Sequence, residues 1–303
     1  MSLSALFQDI LPREAMEENA PLSRYTTMRV GGPADVMLSP STENEIAAAL
    51  HIIRRQGLPF LIIGNGSNLL FSDEGFRGVI LRLGKNFSRI TCQDGLVYAQ
   101  SGALLSAVAK AAADHSLRGL EFASGIPGSV GGGVYMNAGA YGGEIAQVLE
   151  SAQVLMDGEV QTWLCDHFDF SYRHSALMAE GGVVLSARFR LSAGDPAEIQ
   201  ALMNDLNSRR KQKQPLQYPS CGSFFKRPAG HYAGALIEAA GLKGYAVGDA
   251  QVSEMHAGFI VNRGHATAQQ IYSLMRHVQR TVLADSGVAL EPEVRLIGRF
   301  EET

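Results

Sequence analysis

The stretch Gly64-Asn65-Gly66-Ser67-Asn68-Leu69-Leu70-Phe71-Ser72-Asp73, following the apolar run Pro59-Phe60-Leu61-Ile62-Ile63, decides the fold. A short apolar run bounded by turn residues reads as a buried strand. Gly64-x-Gly66 after a strand invites a Rossmann reading, which needs a third glycine and a helix opening at the loop. Leu69-Leu70-Phe71 gives no helix start, and the next strand, Gly78 to Leu83, arrives within a few residues. What remains is a loop of open backbone amides and short polar side chains. It can cradle a pyrophosphate without a helix dipole, or serve as an ordinary tight turn.

Upstream, Ala34 to Leu38 alternates as a strand. Thr42 and Glu45 form a capping box ahead of a helix through Ile46 to Arg55, which makes a small α/β piece. Downstream, Arg89 to Cys92 and Leu96 to Gln100 flank Asp94-Gly95, and Gln147 to Met156 and Glu159 to Leu164 flank Asp157-Gly158. Both are hairpin signals. With a helix over Leu104 to His115 and a strand over Val183 to Leu191, this second unit is α+β with a mainly antiparallel sheet. Asp195 to Lys213 is a polar helical connector. The last unit has a helix near Ala233 to Ala240 and a long helix opening at a Thr267/Gln270 capping box. Its final strand is near Glu293 to Ile297. The expected divisions are 1–84, 85–205 and 206–303.

A chain of 303 residues has room for two or three such units. Hydrophobic content of 46% with 18% charge reads as globular. The net charge of −4 offers no basic field for nucleic acid. Three widely spaced cysteines suggest neither a disulfide framework nor a metal site. The N-terminus does not read as a secretory signal, and no apolar run reaches membrane length, so a cytoplasmic protein without membrane insertion is expected.

Gly125-Ile126-Pro127-Gly128-Ser129-Val130-Gly131-Gly132-Gly133 is a second glycine loop, running into a short helix whose amides can bind anion oxygens. Two glycine loops without a Rossmann signature suit one extended ligand, such as a dinucleotide like FAD. The glycines could also merely serve turns. Further on, Ser220-Cys221-Gly222-Ser223-Phe224-Phe225-Lys226-Arg227-Pro228 admits a nucleophile, a proton donor, a cysteine site or a strand edge. Ser223-x-x-Lys226 fits some acyltransferases only if Ser223 opens a helix, which Pro228 and the extended geometry before it oppose. Cys221 has no evident histidine partner. The plain reading of Ser223 is a tight Gly-Ser turn. Arg173 is an exposed cation or a carboxylate binder, and Glu293 is a solvated acid or a carboxylate held by Pro292. His174, His231 and His256 read as structural or surface groups.

Together the pieces resemble the UDP-N-acetylenolpyruvoylglucosamine reductases. The resemblance rests on Thr27 to Asp35, Gly64 to Leu70, Gly125 to Gly131, Tyr172-Arg173-x-Ser175, Gly222 to Pro228 and Leu290 to Arg295, in the family's order. It implies a vanillyl-alcohol-oxidase-type (PCMH-like) α+β fold with two FAD-binding subdomains and a C-terminal UDP-sugar domain. FAD would be non-covalent, because Gly64, Asn65, Gly66, Ser67 and Asn68 include neither His nor Cys. NADPH would reduce the flavin, and hydride would then reach C3 of UDP-N-acetylglucosamine enolpyruvate.

The cofactor residues implied are Gly64 to Asn68 with Gly125, Ile126, Pro127, Gly128, Ser129 and Gly131. Arg173 matches the arginine facing the substrate carboxylate, Glu293 a protonated donor and Ser223 the acid that protonates C2. Tyr172, Lys213 and Arg227 fall on the substrate side, and no metal is implied. The implied assembly is a monomer or weak oligomer. Only about eight residues, Ala176 to Val183, follow the Tyr-Arg motif, so the chain resembles the shorter subtype without a lid tyrosine.

Overall fold

The computed structural model describes residues 2–302. A four-stranded sheet has the order Met16–Pro21, Pro33–Leu38, Phe76–Arg82, Phe60–Ile63. Phe60–Ile63 runs parallel to Phe76–Arg82 with Phe60 opposite Val79 and Ile63 opposite Arg82. The run read as a buried strand is therefore an edge strand, and Phe60 remains 37% exposed. No helix opens at Gly64 to Asn68; Leu69–Phe71 is a strand, as the rejection of the Rossmann reading requires. The chain gathers into two compact units.

One unit holds the chain through Glu18, Val36–Asn65 and Gly78–Arg210. Helix α1 (Glu43–Arg55) puts Ile46, Ala49, Leu50 and Ile53 in its core. These positions repeat at three- and four-residue intervals, so they form one apolar face. Thr42 accepts from the Glu45 amide at 3.2 Å, but the Glu45 carboxylate turns to Ser41, accepting from its amide at 2.6 Å and its hydroxyl at 3.0 Å. The expected box thus closes one residue early. A five-stranded antiparallel sheet follows, in the order Glu159–Leu164, Leu149–Met156, Val183–Arg190, Leu96–Gln100, Ile90–Gln93. Its two hairpins turn where expected, since Asp94, Gly95, Asp157 and Gly158 all have positive φ, as two-residue turns demand. Helix α2 (Leu105–Asp114) buries Leu105, Val108, Ala109 and Ala112. The short α3 (Val130–Tyr135) comes so close that a Cβ on Gly133 would lie 3.0 Å from Leu105 Cδ1. Helix α4 (Leu177–Glu180) fills the short connection after the Tyr-Arg turn, and α5 (Pro196–Lys213) leads out of the unit.

The other unit holds Asn19–Asp35, Gly66–Arg77 and the chain from Lys211 onward. Leu69–Phe71 pairs in parallel with Arg295–Ile297. The last strand begins at Arg295 rather than Glu293, because Glu291 to Glu293 are engaged with another segment, described below. Ala246–Val247, Ala250–Val252 and Ile260–Asn262 form an antiparallel sheet. Helices α6 (Ala233–Ala239) and α7 (Ala268–Ser286) bury Ile237, Ile271, Leu274, Met275, Val278 and Val282 in the core of this unit.

The Thr267/Gln270 capping box is present, and Asp73 adds to it. Its two carboxylate oxygens accept from the Ala268 and Gln269 amides at 2.8 and 2.9 Å. These are amides no intrahelical carbonyl can satisfy. Asp73→Ala is expected to lower the unfolding free energy by about 2 kcal/mol, the upper range for a lost cap. Urea unfolding reads this directly, and an unchanged midpoint would contradict it.

Candidate active site

In the first unit, the strand ending at Ile63 delivers Gly64 against the second glycine loop. A Cβ on Gly64 would stand 1.9 Å from Ser129 Oγ, so only glycine allows this approach. Asn65 Nδ2 donates to the Pro127 carbonyl at 2.6 Å. The loop is fixed from behind by three backbone bonds. Leu105 N donates to Gly128 O at 3.0 Å, Val130 N to Ala103 O at 2.8 Å and Gly131 N to Ser101 O at 2.8 Å. Ile126 N donates to Ala123 O at 3.1 Å. Gly125 lies against α5, where its Cβ would meet Asn207 Oδ1 at 2.8 Å and Arg210 Cδ at 3.0 Å. Burial pushes the Arg210 guanidinium down from its ordinary value, and the nearby Tyr141 opposes this.

Two buried hydroxyls in these segments, Ser101 Oγ and Ser124 Oγ, have no hydrogen-bond partner within the protein. Buried polar atoms are ordinarily paired, so these call for an external partner. Orphan hydroxyls beside a glycine loop fit the FAD expected from the sequence. Ser101, Ser124, Asn207 and Arg210 were not among the residues the sequence pointed to.

The Tyr-Arg turn belongs to the same unit. Tyr172 is 54% exposed, and Arg173 Cζ lies 5.2 Å from its ring centroid. Arg173 has φ +56° and donates from Nη2 to the Gly139 carbonyl at 3.4 Å.

In the second unit, Gly66 has φ +61° and its Cβ would lie 2.1 Å from the Tyr25 carbonyl oxygen. Asn68 Nδ2 donates to Glu293 O at 3.0 Å, and Arg295 N donates to Asn68 O at 3.0 Å. Glu293 N in turn donates to Phe224 O at 2.9 Å. Phe225 bridges Pro292, and Lys226 N donates to Glu291 O at 2.8 Å. Phe224 N donates to Gly258 O at 2.9 Å, which fixes the segment on its other side.

This ladder brings Asn68, Ser223 and Glu293 together. Ser223 stands one residue from the Phe224–Glu293 bond, exposed between buried Cys221 and Phe224. Gly222, with φ +77° and open space around it, makes the turn. The segment is extended rather than helical, and Lys226 is ion-paired with Glu291, so Ser223-x-x-Lys226 does not form the acyltransferase arrangement. Burial pushes the Cys221 thiol up to about 12, while its bond to Leu69 O and Thr27 pull the other way. It stays protonated at neutral pH and is no nucleophile. Lys213 ends α5 exposed, and Arg227 Cζ sits 4.1 Å from the Tyr232 ring centroid. His256 is structural: Nδ1 accepts from Gly258 N at 3.1 Å, its ring meets Phe259 edge-on, and burial pushes its pKa down.

A sequence profile for an FAD binding domain matches residues 34–163. The solved structure of Phl p 4.0202, a glucose dehydrogenase, covers 73% of this chain and 51% of its own at TM-score 0.52 and 15% identity, a likeness of fold alone. Fold and profile together define an FAD-binding fold of the vanillyl-alcohol-oxidase type. A second profile, for the C-terminal domain of UDP-N-acetylenolpyruvoylglucosamine reductase, matches residues 214–297. The reductase of that name from Agathobacter rectalis is 51% identical over 96% of both chains, and that from Latilactobacillus sakei 50% over 95% of both. The crystal structure of the Thermus caldophilus enzyme covers 93% of this chain and 98% of its own at TM-score 0.80 and 37% identity. The chain belongs to the UDP-N-acetylenolpyruvoylglucosamine reductase family.

Proposed function

We propose that this protein is an NADPH-dependent flavoenzyme that reduces UDP-N-acetylglucosamine enolpyruvate to UDP-N-acetylmuramate in peptidoglycan precursor synthesis. The observation that carries the reading is the ladder joining Phe224-Phe225-Lys226, directly after Ser223, to Glu291-Pro292-Glu293, since FAD binding alone has no need of it. FAD, when bound, supplies the hydride chemistry that links NADPH to C3 of the substrate.

The protein's own residues do the rest. Gly64 to Asn68, Gly125 to Ser129 and Gly131 hold the cofactor non-covalently through amides and hydroxyls. Arg173 holds the substrate carboxylate, where negative charge grows as C3 accepts hydride, and a fixed cation there stabilises the transition state. Glu293 supplies a further polar group to the reacting end of the substrate. Ser223 gives its hydroxyl proton to C2: the O–H bond breaks, the C2–H bond forms, and the alkoxide is reprotonated from solvent. Lys213 and Arg227 serve the diphosphate, and Tyr172 packs beside flavin or substrate.

The three divisions 1–84, 85–205 and 206–303 are two FAD subdomains and a UDP-sugar domain. The enzyme works in the cytoplasm as a monomer or weak oligomer. Among the described residues no helix is long and apolar enough to cross a membrane.

The test is anaerobic. NADPH is expected to bleach the flavin absorbance, and adding UDP-N-acetylglucosamine enolpyruvate to restore it. Bleaching without recovery would remove the substrate assignment. A protein that takes up no FAD would remove the whole reading.

A further inference from the structure

The turn that carries Arg173 is tied down by residues the proposed reaction does not itself use. Ser171 and His174 exchange backbone hydrogen bonds of 3.3 and 3.1 Å, closing a tight turn around Arg173. Asn137 is 1% exposed and has φ +44°. Its side-chain amide donates to Ser171 O at 3.2 Å, while its side-chain carbonyl accepts from Ala146 N at 3.0 Å. Beyond the turn, buried Ser175 donates from Oγ to Tyr135 O at 2.7 Å. Gly139, two residues after Asn137, supplies the carbonyl that accepts from Arg173 Nη2 at 3.4 Å. It pairs with Glu144 in a short hairpin so tight that a Cβ on Gly139 would lie 2.7 Å from Gly143 O.

We infer that Asn137 is a positioning residue for Arg173. It locks the Ser171–His174 turn and the Gly139 carbonyl into one register, and the guanidinium is aimed before the substrate carboxylate arrives. The inference rests on the reading of Arg173 as the carboxylate's partner. A guanidinium binds a carboxylate through a planar fork, so its direction decides the strength of the contact. A left-handed arginine persists only where its surroundings over-determine it, and the bonds from Asn137 and Ser175 do so here. Asparagine suits the position because it tolerates positive φ and offers a donor and an acceptor at once.

Asn137→Asp keeps the acceptor for Ala146 N and removes the donor to Ser171 O. In the FAD-loaded enzyme, its KM for UDP-N-acetylglucosamine enolpyruvate is expected to rise about tenfold, with a smaller change in kcat. NADPH-driven flavin bleaching should keep its rate. Arg173→Lys should lower kcat/KM on the order of 100-fold. The double variant should fall less than about threefold further, because an orienting bond has nothing to orient once the fork is gone. Losses that multiply in the double variant would overturn the inference and leave the role of Arg173 standing. Wild-type kcat/KM in Arg173→Lys would overturn both. If Asn137→Asp does not fold, Asn137→Gly, which keeps the positive φ and loses both side-chain bonds, is combined with Arg173→Lys instead, and the same two outcomes decide.

Discussion

Ser223→Ala is expected to bleach with NADPH at the wild-type rate and to recover its oxidised flavin on substrate addition about 10³-fold more slowly, the middle of the range for a lost general acid. A factor of that size is about 4 kcal/mol of transition-state stabilisation. Position separates this from a folding defect. Ser223 is exposed, and its neighbours Cys221 and Phe224 make the buried contacts. Losing one exposed hydroxyl leaves the Phe224–Gly258 and Glu293–Phe224 backbone bonds in place. The first half-reaction does not involve C2, so it serves as an internal control. If both half-reactions keep wild-type rates, Ser223 is not the acid. Cys221→Ser distinguishes the neighbouring thiol. Cys221 is buried and donates to Leu69 O at 3.4 Å, pointing into the protein, so most activity should survive its replacement. Slow recovery in that variant alone would move the proton donor to Cys221.

The parts of this molecule that could be read from sequence are those set by neighbours along the chain. Asp94-Gly95 and Asp157-Gly158 turn their hairpins because both residues of each pair adopt the left-handed region. Thr267 and Gln270 cap α7 through bonds three residues apart. Asp73 was invisible as a cap, since nothing local ties it to Ala268. The gathering of Asn68, Ser223 and Glu293 depends on backbone bonds between distant segments. Only the resemblance to a known family put those residues in one site beforehand. Ser101, Ser124 and Arg210 escaped because their interest lies in what they face: a serine becomes notable only when its buried hydroxyl is left without a partner. Asn137 carried a weak local signal, an asparagine ahead of Ala-Gly, of the type favoured at positive φ. Its two bonds could not be read from that.

Gly64→Ala and Gly66→Ala are expected to differ, although the two glycines are two residues apart in one loop. At Gly66 the new methyl would lie 2.1 Å from the Tyr25 carbonyl oxygen, on a backbone with φ +61°. The left-handed conformation alone costs an alanine roughly 1–2 kcal/mol. The clashing atom is backbone, and the segment after it is held by Thr27 N to Gly66 O at 3.3 Å and Thr27 Oγ1 to Ser220 O at 2.7 Å. With nowhere for that oxygen to go, a total loss of about 4 kcal/mol or more is expected, the level reached when strain and steric conflict act together. At Gly64 φ lies outside the left-handed region, and the closest atom is Ser129 Oγ at 1.9 Å, the end of a short side chain. Removing that atom removes the worst conflict and leaves Ser129 Cβ at 3.0 Å. Thermal unfolding of the flavin-free proteins should therefore show Gly64→Ala destabilised, Gly64→Ala/Ser129→Ala partly restored, and Gly66→Ala the least stable of the set. Flavin-free protein is the right material because Ser129 is itself assigned to the cofactor. A Gly64→Ala variant that Ser129→Ala fails to restore would mean that the loop's close approach is set by its backbone rather than by that hydroxyl.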